Sequence, residues 1–238
     1  MADPLVLLHG FTQTGAAWDA VRERLAGREV HAPDLRGHGA RAADRPIDTP
    51  TLVADVLDAA PRRFDLAGYS MGGRLALHVA LAAPGRVRRL TLIATTAGIQ
   101  DPGEARRRRE ADEALAQLLE REGLEAFADR WEALPLWDRQ SAEQRARARA
   151  MRLAQDPAGL AASLRGFGAG TMPPVWDRLR TLSLPVTIVV GSEDARYRDV
   201  ARRLHRAMPW ARVVVVAGAG HGLPLEAPGA LARALEAR

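Results

Sequence analysis

Residues 68–74 read GYSMGGR. The first five letters fit G-x-S-x-G, the pattern that presents a serine hydroxyl on a sharp strand-to-helix turn. A hydroxyl attacks poorly until a base removes its proton, and the base works well only when a third group orients it. Ser70 therefore calls for a histidine and a carboxylate elsewhere in the chain. Arg74, four residues on, shares a helix face with Ser70 in the expected helix. It falls near the positive end of that helix's dipole, which disfavours a cation by about 0.3–1 kcal/mol. Two readings compete for it: a guanidinium that binds a carboxylate bidentately, or a stem packed on its neighbours with its head in water.

Six histidines compete for the base. His78 and His205 fall inside helical patterns and His31 inside a strand pattern, where a packed or solvated ring is the plainer reading. His9 (in HGF) and His38 (in RGHG) sit at strand ends near the expected site but precede the serine. His221, in GAGHG after a run of valines, lies on a glycine-flanked loop where a mobile imidazole belongs, and is the expected base. Past the strand pattern VTIVVG come Glu193 and Asp194, of which Asp194 is preferred. The chain order is then Ser70, Asp194, His221. Asp194 also suits the N-cap of the helical pattern that follows it. Backbone N–H groups of Met71, after the serine, and of Phe11, after the first strand, are the expected donors to a developing oxyanion. Each such donor is worth about 2.7–4 kcal/mol in a water-poor site.

These residues need a frame that gathers them at one edge. Strand patterns occur at 5–8, 29–33, 64–68, 89–95, 185–191 and 211–218, and helical ones at 16–26, 50–60, 71–83, 196–208 and 227–237. Short apolar runs alternating with longer amphipathic ones predict a mostly parallel, doubly wound α/β sheet buried on both faces. From Gly98 to about Pro173 only helical periodicity remains, with charge pairs such as Arg106/Glu110. That stretch is too long for a loop. The expected organisation is a core of residues 1–97 and 173–238, with 98–172 inserted as a helical lid over the sheet's C-terminal edge.

Composition narrows the partners. At 238 residues, 47% hydrophobic and 26% charged, the chain can fill one core and reads as globular and soluble. No run approaches the roughly 18 apolar residues that span a bilayer, so no membrane partner is expected. The N-terminus lacks the basic region of a signal peptide. With no cysteine there is no disulfide framework, and the cytoplasm is the default location. Every one of the 34 basic side chains is arginine, giving a net charge of +5. They are interleaved with glutamate and aspartate, and two tyrosines and four phenylalanines offer little for base stacking. A positive pocket for an anionic small molecule fits better than nucleic acid. Nothing in the sequence suggests a metal or a cofactor.

The segments LLHGFTQTGAAW, APDLRGHG, GYSMGG, VVGSED and GAGHGLPLEAP together resemble the α/β-hydrolase fold superfamily over nearly the whole chain. The antiparallel strands that usually open that fold are mostly absent. More narrowly, the chain resembles the 2-succinyl-6-hydroxy-2,4-cyclohexadiene-1-carboxylate synthase family of menaquinone synthesis. The match lies in Tyr69 and Arg74 around the serine, AGIQDPGEARRRREADEALA, FADRWEALPLW and RARARAMRLA. The resemblance implies substrate-binding roles for Tyr69, Arg74, Arg108, Trp131 and Arg152. It implies a lyase in which Ser70 acts as a base, abstracting a proton and eliminating pyruvate from a polycarboxylate held by the arginines. The sequence departs from the family at TTAG (95–98), where a Ser-Pro-Gly stretch is usual. From the residues alone, Arg108 and Arg152 read equally as solvated arginines on helix surfaces, and Trp131 as an anchor of the lid. A carboxylesterase forming an acyl-enzyme on Ser70 is the rival activity, and a non-catalytic receptor that kept the fold is a third reading.

Overall fold

The computed structural model describes residues 3–25 and 27–237. Ala26, the last residue of the 16–26 helical pattern, lies outside the described residues, as do the outer ends of the 1–97 and 173–238 segments.

In chain order the elements are β1 (Leu5–Leu8), α1 (Asp19–Arg22), β2 (Val30–His31), α2 (Thr49–Ala59), β3 (Phe64–Tyr69), α3 (Met71–Ala82) and β4 (Val87–Ile93). There follow α4 (Pro102–Glu132), α5 (Ala142–Leu153), α6 (Pro157–Phe167), β5 (Val186–Gly191), α7 (Ala195–Ala207), β6 (Arg212–Val216), α8 (Leu223–Glu226) and α9 (Pro228–Glu236). The six strands form one sheet in the order β2-β1-β3-β4-β5-β6, and all five pairings are parallel.

Alternation along the central strands divides the core in two. From β1, Val6 and Leu8 face one side, where they join Leu52 and Val56 of α2, Leu75 and Val79 of α3, and Leu204 of α7. Leu5 and Leu7 face the other, with Trp18, Val21 of α1 and Leu231 and Leu235 of α9. Strands buried on both faces favour apolar side chains on both, which is why β1 reads as an unbroken run rather than an alternation. β3 is buried throughout as well, and its one charged side chain, Asp65, is paired with Arg28. The strand expected at 29–33 contracts to two residues. It lies at the sheet edge with both side chains partly exposed, and Pro33 brings no N–H to a ladder. The helix expected at 16–26 opens instead with a 3-10 turn at Gly15–Trp18 and is helical only over Asp19–Arg22.

Between β4 and β5 the chain forms α4, α5 and α6 and no strand. Side-chain oxygens start each helix: Asp101 accepts from the Glu104 N–H, Ser141 and Gln144 form a reciprocal capping box, and Asp156 accepts from the Gly159 N–H. Gly123 breaks α4 with φ 80 and ψ −168, a conformation open to glycine. The two arms that result enclose a small apolar cluster with α6, made of Ala116, Leu119, Phe127, Leu160, Ala161 and Leu164.

The strand order creates the site. After β1 the chain moves outward to β2, then crosses back through α2 to β3 on the other side of β1. Connections leaving the C-terminal ends of β1 and β3 therefore diverge and leave a crevice between them. Phe11 follows β1 and Ser70 follows β3.

Candidate active site

Ser70 sits between β3 and α3 with φ 51 and ψ −107, a strained conformation for a residue with a side chain. The turn is possible because of the glycines around it. A Cβ on Gly72 would lie 2.2 Å from the Leu8 carbonyl oxygen, and one on Gly68 would lie 2.2 Å from that of Gly72. The Ser70 N–H is tied to the Ile93 carbonyl at 2.9 Å, which fixes the elbow against β4.

The order proposed for the chain converges in space. His221 Nδ1 lies 2.7 Å from Asp194 Oδ2 and Nε2 lies 3.3 Å from Ser70 Oγ. A carboxylate can only accept, so Nδ1 carries the proton and Nε2 is left to accept from the serine hydroxyl. His221 and Asp194 are both buried, at 3% and 6% exposure. Three aromatic rings enclose the imidazole: Tyr197 at 4.5 Å, Tyr69 at 5.4 Å and Trp137 at 5.6 Å between centroids. Asp194 also caps α7, its Oδ1 accepting from the Tyr197 N–H at 3.2 Å. One oxygen of Asp194 thus makes the capping bond and the other the contact with His221. Glu193, the alternative acid, bonds Ser192 Oγ instead.

The loop carrying His221 is tethered on both sides of the histidine. Glu226 Oε2 accepts from the Gly220 N–H and Oε1 from the Gly222 N–H at 2.9 Å, so one carboxylate clamps the backbone on both sides of the histidine. The N–H groups of Phe11 and Met71 donate to no protein acceptor among the described residues. Met71 opens α3, where the first N–H groups have no partner within the helix.

A cavity of about 630 Å³ opens over Ser70, lined by all ten residues singled out in the sequence: Phe11, Tyr69, Ser70, Met71, Arg74, Arg108, Trp131, Arg152, Asp194 and His221. The three arginines differ in what holds them. Arg74 is 8% exposed and forms no ion pair among the described residues; its Nη1 donates to the Phe167 carbonyl at 3.1 Å and the guanidinium lies over the Phe167 ring at 5.2 Å. Its head is thus largely buried, at the wall of the cavity. Burial pulls its pKa down to about 10, so it remains a cation at neutral pH. Arg108 Nε bonds Asp112 Oδ1 at 2.9 Å, and Arg152 Nη1 bonds Glu132 Oε1 at 2.7 Å while lying 5.5 Å from the centroid of the Trp137 ring. Arg152 is buried, so its head is not on a solvated surface either. Trp131 stands between Phe11 at 5.4 Å and Phe127 at 5.6 Å, so it both packs the covering helices and faces the cavity.

The pattern of the alpha/beta hydrolase family matches residues 5–234. A Bacillus subtilis protein provisionally named a 2-succinyl-6-hydroxy-2,4-cyclohexadiene-1-carboxylate synthase is 35% identical, across 95% of this chain and 86% of its own. The synthase of that name from Salmonella paratyphi C is 31% identical, across 95% of this chain and 90% of its own. The chain belongs to this synthase family of alpha/beta hydrolases. The structure of MenH from S. aureus superposes with a TM-score of 0.90 at 27% identity, covering 98% of this chain and 91% of that one.

The site also holds polar side chains beyond the ten expected from the sequence. Asp112 is 2% exposed and lines the cavity; burial pushes its carboxyl pKa up, and one of its oxygens has no partner. Its signal in the sequence was the i,i+4 spacing from Arg108, which equally marks an ordinary surface pair. Glu132 and Tyr197 were not among the expected site residues either. Glu132 lies 20 residues from Arg152, a separation with no local signature. No helix among the described residues is long and apolar enough to cross a membrane.

Proposed function

We propose that this alpha/beta hydrolase-family enzyme is a 2-succinyl-6-hydroxy-2,4-cyclohexadiene-1-carboxylate synthase, a lyase that eliminates pyruvate from an enolpyruvyl polycarboxylate. Arg74 carries this reading. A guanidinium buried at 8% exposure, one helical turn from Ser70 and without a carboxylate partner, waits for an anion from outside. An unpaired buried charge is costly to the fold, and a substrate carboxylate relieves that cost. Arg108 and Arg152 already have carboxylate partners, each through one nitrogen, and both residues line the cavity. Tyr69 and Trp131 supply the apolar walls.

Ser70, His221 and Asp194 then act together on a proton. Ser70 Oγ abstracts it from a carbon next to a carbonyl, and the serine's own proton moves to His221 Nε2. Asp194 stabilises the resulting imidazolium. The electron pair left on carbon forms a new double bond and expels the enolpyruvyl oxygen, and the proton returns to the departing group, which leaves as pyruvate. Negative charge that gathers on the carbonyl oxygen is met by the N–H groups of Phe11 and Met71. Residues 98–172 serve as a lid, with 1–97 and 173–238 as the core, and the lid excludes water that would compete for the base. The lack of cysteine fits a reducing compartment such as the cytoplasm.

Supplying purified enzyme with the enolpyruvyl precursor and measuring pyruvate tests this directly. Release of pyruvate with no serine adduct is expected. Hydrolysis of simple esters with no pyruvate from the precursor, and an acyl group trapped on Ser70, would instead make it a carboxylesterase. The contact between His221 and Ser70 and the two N–H groups without a protein acceptor among the described residues suit acyl transfer as well as the lyase step.

A further inference from the structure

A peptide N–H cannot be aimed independently of the carbonyl across the same bond. In a trans peptide the two point to opposite sides of one rigid plane. Gly10–Phe11 and Ser70–Met71 are both trans; among the described residues the cis bond is that between Arg45 and Pro46. Whatever holds the Gly10 carbonyl therefore aims the Phe11 N–H, and whatever holds the Ser70 carbonyl aims that of Met71.

Each of these carbonyls is held from behind by a buried side chain. Thr95 Oγ1 donates to the Ser70 carbonyl at 2.7 Å, and Thr95 is 4% exposed. The Arg74 N–H, the first in-helix donor of α3, reaches the same oxygen at 3.2 Å. On the other side, His9 Nδ1 donates to the Gly10 carbonyl at 2.8 Å from a fully buried ring. The tautomer is set at the opposite nitrogen, because Nε2 accepts the Leu35 N–H at 3.0 Å. Burial lowers the His9 pKa to about 4, which keeps the ring neutral around pH 7. Gln13 Oε1 takes the Gly10 N–H, so the peptide before the crucial one is fixed as well.

We propose that His9 and Thr95 are positioning residues that aim the two oxyanion-binding N–H groups by anchoring the rear carbonyls of their peptides. This rests on the reading of Phe11 and Met71 as the oxyanion donors. The supports come from the ends of β1 and β4, the two strands that flank β3, so the elbow is braced by both of its neighbours. A hydrogen bond to the carbonyl also polarises its peptide and strengthens the N–H on the far side as a donor. A purely structural role would lower stability without selectively slowing steps that place charge on an oxygen.

The full-length protein is labelled at Ser70 with a fluorophosphonate, which builds negative charge on the phosphoryl oxygen as the serine attacks. Thr95→Val keeps the shape and removes the hydroxyl, Thr95→Ser keeps the hydroxyl, and His9→Gln moves the ring donor away from Gly10. Losing an oxyanion donor outright costs about 10²–10³ in rate, so a donor present but poorly aimed should cost about tenfold. Thr95→Val and His9→Gln are expected to lower the maximal labelling rate by about that factor, with the half-saturating probe concentration unchanged and Thr95→Ser close to wild type. Wild-type labelling rates in Thr95→Val, a loss confined to probe affinity, or an equal loss in Thr95→Ser would overturn the proposal. So would a wild-type Ser70 that the probe does not label. Should Thr95→Val fail to fold, His9→Gln carries the same test alone. Labelling needs no pyruvate chemistry, so an enzyme that releases no pyruvate would refute the lyase and leave this result standing.

Discussion

Arg74 and Phe167 meet twice: the guanidinium donates to the Phe167 carbonyl at 3.1 Å and lies over the Phe167 ring at 5.2 Å from its centroid. Phe167 ends α6, so the cation beside Ser70 is held by the helices that cover the sheet. Both contacts orient the charge and neither neutralises it. In the proposed reaction an incoming carboxylate would meet a cation already placed, with its desolvation cost met in folding rather than in binding.

Arg74→Met should therefore separate substrates by charge. Truncating one partner of a buried charged pair costs about 2–5 kcal/mol, or roughly 30-fold and more in kcat/KM for the polycarboxylate. A neutral ester should lose little. Steady-state kinetics on both substrates decide the matter, and equal losses would mean that Arg74 only packs the interface.

Asp194 offers a cleaner dissection because its two oxygens do different work. Asparagine keeps an oxygen for the Tyr197 N–H, and it is as good a helix cap as aspartate. It no longer forces the proton of His221 onto Nδ1. Asp194→Asn should melt within a few degrees of wild type while turnover falls by about 10⁴. A large drop in melting temperature with modest loss of turnover would assign Asp194 to the fold instead.

Much of this site could be read in advance because its residues sit where strands end, and strands leave dense apolar runs in the sequence. Ser70, Asp194 and His221 each follow such a run, and the glycines beside Ser70 mark where side chains cannot fit. What stayed hidden is what depends on tertiary approach. The partner of Arg152 is 20 residues away, and the carbonyl that holds Arg74 is 93 away. The glycines of the His221 loop suggested motion because flexibility is a local property of sequence, whereas the Glu226 clamp is a contact. Strand and helix ends moved by a few residues for a similar reason: β2 pairs on one side only and keeps two residues, a length set by its place in the sheet, with Pro33 the one local sign of it.

Three buried histidines make stability depend on pH. Burial lowers His9 and His78 to about 4 and His38 to about 3. Each folded pKa lies below the unfolded value near 6.5, so the unfolded chain binds protons that the folded one refuses. Stability from these rings is complete above about pH 6.5 and declines as pH falls toward 4, by up to about 1.4 kcal/mol per ring per pH unit. Urea unfolding at pH 7, 6 and 5 should show the midpoint falling at each step. His78→Gln should flatten the slope by about a third, and an unchanged slope would show that His78 titrates as it does in water.

The φ of 51 at Ser70 sets two demands on this chain against each other. Glycine would occupy that elbow with no Cβ to strain, and strain of this kind costs about 1–3 kcal/mol. Ser70→Gly should consequently raise the melting temperature while abolishing turnover. Selection for durability alone would drift toward glycine here, and the serine persists only as long as its chemistry is needed.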